Sequence, residues 1–226
     1  MYGETSPSLP QKIVLALIHF LAVLLVYWLL FGGALRVAHR LGFRWEPGDF
    51  LRRVLLMSCS AAYFLRTLVT AFVFLKRRIT WPEAATIAVW CLLVHAAFAV
   101  SGGTNRRPAG PPAVIGAILY GAGSCLNTGS EFQRHVWKQK PENQGKLYTQ
   151  GLFRFAIHIN YFGDLVLFTG FAMIAGSPYM TLIPLLTLAG FVLFNIPTLD
   201  RHLREKYGIA FEEYASRTKK FAPFVY

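Results

Sequence analysis

The sequence predicts an all-α fold, a polytopic bundle of about six transmembrane helices, possibly seven, forming one membrane domain over residues 1–226. Three observations predict it. Of 226 residues, 54% are hydrophobic and 15% charged, against about 25% charged in a soluble domain, and the mean hydropathy is +0.42. The apolar residues gather into long runs separated by basic connections, and a hydrocarbon core of about 30 Å is crossed by about 20 residues of helix. The runs are continuous rather than alternating, which calls for helices instead of a barrel.

The first run, Ile13–Leu30, contains no Asp, Glu, Lys or Arg and a single histidine, His19. It is too long and too late for a cleaved signal peptide, and further spans follow it. Val54–Leu75, Ala84–Val100, Ala113–Leu126, Tyr161–Ile174 and Tyr179–Ile196 complete the set. The Gly/Pro-rich stretch Gly102–Pro112 reads as a loop dividing an N-terminal trio of spans from a C-terminal half. Gln133–Phe153 reads as a second long connection, and Asp200–Tyr226 as a basic amphipathic helix followed by an extended end. Cys59, Cys91 and Cys125 lie in apolar runs with a spacing that suits neither zinc nor a disulfide framework.

The net charge of +12 does not point to nucleic acid, because Lys and Arg concentrate in the connections and in the tail Arg201–Lys220. Cytoplasmic loops carry such an excess, so the C-terminus is expected on the cytoplasmic side. A basic face of this kind also suits anionic lipid headgroups or an anionic cofactor. The expected setting is a multi-pass protein of a bacterial inner membrane, with membrane lipids as partners and its oligomeric state open.

An ionisable residue inside a span is costly and is a functional hypothesis by default. Tyr63 and Arg66 share one helical face, as do Asn127 with Glu131 and Asn160 with Asp164. Each pair alone could be a satisfied interhelical contact. Three pairs in one small bundle favour a polar cavity able to hold a large ligand. His19 and His95 read as isolated, packed histidines. No strand precedes a G-x-G-x-x-G, so no Rossmann unit is expected. Glu131 and His135 have helical metal-ligand spacing, but two ligands are too few, and no metal is expected.

The segment Gly151–Asp164 (GLFRFAIHINYFGD) resembles the G-L-[WF]-x-[YF]-S-R-H-P-N-Y-x-G-E segment of the steroid 5α-reductase family and its bacterial relatives. The tail from Tyr207 through Phe211, Tyr214, Arg217 and Phe221 to Pro223 is similar to that family's C-terminal signature. Asn127 and Glu131 resemble its N-x-x-x-D pair, and the run Tyr63–Thr67 (YFLRT) resembles its Y-F-x-R-T run. The resemblance implies a steroid 5α-reductase-like domain with a cofactor-binding half over about 113–226, a cavity open to the cytoplasm, and NADPH as cofactor. It assigns Arg66, Asn127, Glu131, Lys138, His158, Asn160, Asp164, Tyr207 and Tyr214 to the cofactor, and Tyr63 with Arg66 to catalysis. The implied enzyme is an NADPH-dependent oxidoreductase acting on a CH–CH bond of an apolar steroid- or isoprenoid-like enone, with Tyr63 polarising the carbonyl. The sequence departs from the family at Ile157, where many relatives have arginine, and at Ile159, where they have proline; the first span lacks the acid that steroid enzymes pair with the tyrosine. Two alternatives stand beside this reading. Isoprenylcysteine carboxyl methyltransferases and phospholipid methyltransferases share an R-H-P-x-Y segment and a similar tail and use S-adenosylmethionine. A non-catalytic lipid-binding relative is the other.

Overall fold

A computed structural model describes residues 8–43 and 46–225. Among the described residues the regular secondary structure is helical, apart from one isolated parallel bridge between Ala156 and Lys219. All six apolar runs lie on helices. The first is α1 (Leu9–Phe31), followed by a short α2 (Ala34–Arg40) in what the sequence presents as a connection. Then come α3 (Phe50–Val69), extended by a wider turn at Thr70–Phe74, α4 (Trp81–Gly103), α5 (Pro111–Gln139) and α6 (Ile159–Ala175). The last run forms α7 (Leu182–Gly190) and continues through another wide turn, Phe191–Asn195, into α8 (Ile196–Tyr207); α9 (Ile209–Arg217) follows.

Four helical stretches are long and apolar enough to cross a membrane: Leu9–Phe31, Phe50–Phe74, Trp81–Gly103 and Pro178–Tyr207; Ile159–Ala175 is a shorter apolar helix. Leu21, Leu65, Leu93, Ile118 and Phe194 are each at least 60% exposed. Water would make such faces a liability, whereas hydrocarbon makes them neutral, so the architecture is that of an integral multi-pass membrane protein.

Two expectations about connections need correction. Gln133–Phe153 is not all loop, because α5 runs on to Gln139. The apolar pattern ends at Leu126, but backbone hydrogen bonding does not, so Asn127–Lys138 sit on a helix. The tail is not one helix either. α8 continues the last span, and Gly208, at φ +52°, breaks it from α9. That left-handed backbone is one glycine tolerates and most residues do not.

The chain divides into two compact units, residues 1–120 with 169–183, and residues 121–168 with 184–226. In the first, α1, α3 and α4 pack together. Asp49 caps α3 by accepting from the Arg52 amide at 2.9 Å, and Thr80 caps α4 through the Glu83 amide at 3.4 Å. Leu30, Leu56, Val94 and Phe98 are fully buried there, and Phe98 stacks on Phe171 at 4.2 Å. Arg52, 4% exposed, donates to the carbonyl oxygens of Ile174 and Arg107. The bond to Ile174 takes up a carbonyl left open where α6 ends, and the bond to Arg107 ties the connection between α4 and α5 to it.

In the second unit the α5 and α6 backbones meet at glycines. A Cβ on Gly123 would collide with the Gly163 carbonyl oxygen and the Leu167 backbone, and one on Gly163 would lie 2.6 Å from the Asn127 amide nitrogen. Small residues let membrane helices approach this closely. The segment before α6 is pinned by the tail: the Ile157 and His158 amides donate to the Lys219 and Lys220 carbonyls at 2.8 and 3.0 Å.

Candidate ligand-binding site

Close approach of α5 and α6 brings four polar residues into one chain of contacts. Asn127 and Glu131 lie one turn apart on α5 and are buried. Asn160 opens α6. The Asn127 side-chain amide donates to the Asn160 carbonyl at 3.0 Å, and the Asn160 amide donates to Glu131 Oε1 at 2.9 Å. Arg134, one further turn along α5, forms an ion pair with Glu131 Oε2. The sequence pattern identified three of these residues. Arg134 was missed, although its i,i+3 spacing from Glu131 was a readable signal. Asp164 lies one turn beyond Asn160 and is half-buried.

The remaining sequence-predicted residues of this unit fall into separate groups. Lys138 Nζ donates to the Tyr207 hydroxyl at 3.2 Å and to the Lys146 carbonyl. His158, 1% exposed, donates from Nε2 to Asp200 Oδ1 at 2.7 Å, and Asp200 Oδ2 lies 3.3 Å from Lys220 Nζ. Asp200 was not singled out in the sequence, where nothing marks it as the partner of a histidine 42 positions away. Tyr214 is 2% exposed and donates to the Phe153 carbonyl at 2.5 Å. Burial pushes its phenol pKa upward, and that of Tyr148 likewise. Ile157, at the position of the family arginine, packs against Phe211 and Tyr214, and Ile159 packs with Tyr148, Phe153 and Ala156. These departures from the resembled pattern are therefore core residues with apolar neighbours.

Tyr63 and Arg66 belong to the first unit, with the Arg66 guanidinium 4.9 Å from the Tyr63 ring centroid. The expectation that His19 and His95 are isolated is incorrect. Their rings meet edge to face at 4.8 Å, and Tyr63 lies 5.2 Å from His19 and 5.7 Å from His95. Three helices converge there, which no single helical pattern can show. His95 Nδ1 donates to the Cys91 carbonyl at 2.9 Å, while His95 Nε2 and both His19 nitrogens are buried without a hydrogen-bond partner. Among the described residues, no group of three or more His, Cys, Asp or Glu could hold a metal ion.

The polar chain offers a carboxylate, a guanidinium and two carboxamides within one stretch of contacts. Such a set recognises a ligand carrying both charges together with hydroxyl or ring-nitrogen groups. An amino-acid moiety, such as that of S-adenosylmethionine, has this character: a carboxylate for Arg134, an ammonium and a nearby sulfonium for Glu131. The residues present fit such a group.

Residues 65–218 match the family described as "Protein of unknown function (DUF1295)". The chain is 31% identical over 121 residues to the probable O-methyltransferase ustE of Ustilaginoidea virens, covering 52% of this chain and 42% of that protein. It is 33% identical over 112 residues to a probable protein-S-isoprenylcysteine O-methyltransferase of Oryza sativa subsp. indica, covering 50% and 58%. It is 27% identical over 112 residues to protein-S-isoprenylcysteine O-methyltransferase B of Arabidopsis thaliana, covering 50% and 56%. The chain spans about half the length of the curated relatives it matches.

These relatives overturn the expectation of an NADPH-dependent oxidoreductase acting on a CH–CH bond, because they are named as methyl-transferring enzymes. The physical reason is that polar residues gathered within a membrane bundle do not by themselves specify a reaction. The feature that favoured a reductase, Tyr63–Thr67, lies across the very start of the matched region. Because that match covers more than half of its length, the chain belongs to the family described as protein of unknown function DUF1295.

Proposed function

We propose that the protein is an S-adenosylmethionine-dependent membrane methyltransferase that modifies an oxygen of an apolar, isoprenoid-like lipid or lipidated substrate. The observation that carries the reading is the match over about half the chain to proteins named as O-methyltransferases, three of them acting on isoprenylcysteine by name. The linked chain Asn127–Asn160–Glu131–Arg134 supports it by supplying the charges and amides that such a donor needs.

The donor, when bound, supplies a methyl group on a sulfonium sulfur. The protein's part is to hold and orient it. Glu131 offers a carboxylate to the cationic end, and Arg134 a guanidinium to the donor's carboxylate. Asn160 donates to the Glu131 carboxylate and is itself held through its backbone carbonyl by Asn127, so the carboxylate's position is set before the ligand arrives. A preorganised carboxylate in a membrane setting acts through a low dielectric and interacts more strongly than it would in water. The unit's own apolar helical faces admit a lipid acceptor and exclude water that would compete as an acceptor. The ligand-holding part falls within residues 113–226, and the basic tail Arg201–Lys220 faces the cytoplasm.

The test is thermal stabilisation of the detergent-purified protein by S-adenosylmethionine, NADPH and NADH in parallel, since a ligand bound to the folded state alone raises the melting temperature. Stabilisation by S-adenosylmethionine that is lost in Glu131→Gln is the expected result. Stabilisation by NADPH alone would overturn the proposal.

A further inference from the structure

A second feature of the C-terminal unit belongs to none of the contacts described for the donor. Between the loop at Gly145–Thr149 and helices α8 and α9 lies an open cavity of about 440 Å³. Its lining includes Lys146, Lys206, Tyr207, Glu213 and Arg217. Three cations thus face one carboxylate. Lys138 adds a fourth cation at its edge: its Nζ lies 5.4 Å from the Tyr207 ring centroid, and Lys206 Nζ lies 5.5 Å from the same centroid. Among the described residues, Lys146, Lys206 and Arg217 have no ion-pair partner, whereas Arg204 of α8 is bound to Glu212 at 2.5 Å. Unpaired like charges lining one cavity repel one another, and an anion placed among them relieves that repulsion.

We infer that this cavity binds the phosphate of an anionic phospholipid headgroup. The size admits a phosphate ester, and the charge selects it. The position favours a lipid over a free phosphate. α8 is the end of the candidate span Pro178–Tyr207, so Lys206 and Tyr207 come where a span meets the headgroup layer. Ile209, next to the lining residue Ala210, is 77% exposed. An exposed large apolar residue beside a cationic cavity is the arrangement of a segment resting in the membrane interface. Lys206 and Tyr207 anchor one wall, Arg217 the other, and Lys146 comes from the loop. This inference does not rest on methyl transfer and stands whichever ligand the Asn127–Glu131 group holds.

The experiment is lipid titration of the full chain in a neutral detergent, read by melting temperature and by lipid retained in native mass spectrometry. Phosphatidylglycerol is compared with phosphatidylcholine and with inorganic phosphate, on wild type, Lys206→Gln/Arg217→Gln and the loop variant Lys146→Gln. Wild type is expected to retain phosphatidylglycerol over phosphatidylcholine, with the preference falling about fivefold for each cation removed. All three substituted side chains are exposed, so the variants should melt like wild type in phosphatidylcholine. A control, Lys76→Gln/Arg78→Gln, removes two cations of the other unit and should keep the preference. Equal retention of both lipids by wild type, or full preference in both cavity variants, overturns the inference. So does stabilisation by inorganic phosphate equal to that by the lipid, which would make the cavity a site for a soluble phosphate.

Discussion

Gly121 and Gly123 stand two positions apart on α5, yet alanine should act on them in opposite directions. A Cβ on Gly121 meets nothing within 4 Å. Replacing an exposed helical glycine by alanine removes backbone entropy from the unfolded chain, a gain of about 0.5–1 kcal/mol. A Cβ on Gly123 would lie 2.8 Å from Leu167 Cα and closer still to the Leu167 nitrogen and the Gly163 oxygen. Atoms at such distances must move, and forcing an extra carbon into a packed interface costs about 1–3 kcal/mol. The two variants should therefore differ by roughly 1.5–4 kcal/mol, or on the order of 3–16 °C in melting temperature for a chain of this size. The obstructing atoms are backbone, so trimming Leu167 to alanine should not rescue Gly123→Ala. The assay is thermal unfolding of the purified variants in one detergent. If Gly123→Ala melts at or above Gly121→Ala, the α5–α6 contact is not as close as described and the argument fails.

Other consequences are open to measurement. Glu131→Gln keeps the shape of the side chain but removes its charge, and should weaken S-adenosylmethionine binding about tenfold or more in an equilibrium titration, with an unchanged affinity removing Glu131 from the site. Asp200→Asn deprives buried His158 and neighbouring Lys220 of their carboxylate and should destabilise by about 2–3 kcal/mol; a wild-type melting temperature would show that the pair contributes nothing net. Tyr214→Phe leaves the buried Phe153 carbonyl without its donor, a loss of about 1–3 kcal/mol. Burial holds the Tyr214 pKa above its ordinary value, so the folded chain keeps a proton that the unfolded chain releases near pH ~10. That contribution is fully present below pH ~10 and is lost as the pH climbs toward the folded value. Stability of wild type should therefore fall more steeply above pH ~10 than that of Tyr214→Phe, and parallel slopes would contradict this.

Some features were legible because they are local. Each apolar run needs only its own residues to declare a helix, and all six runs fall on helices, four of them within stretches long and apolar enough to cross a membrane. The i,i+4 pairing of Asn127 with Glu131 was readable for the same reason, since helical spacing alone places both on one face. The two wide turns, at Thr70–Phe74 and Phe191–Asn195, left no such mark. Nor did the continuation of α5 past its apolar stretch, because a polar residue can extend a helix whenever other elements supply its contacts. The activity was misread for a related reason. A shared C-terminal pattern reports a shared scaffold, and one scaffold serves more than one chemistry.

By itself the sequence determined the all-helical membrane class and the candidate polar faces, because hydropathy and helical period are properties of neighbouring residues. Contacts between distant positions were decided only in three dimensions. Gly123 lies against Gly163, so that Asn160 can reach Glu131. His158 reaches Asp200 because the tail pairs with the residues just before α6. His19, Tyr63 and His95 meet because three helices, each apolar on the facing side, close around them. Packing chooses among the faces that sequence offers, and its choice depends on shape and distance across the bundle, which no one-dimensional pattern carries.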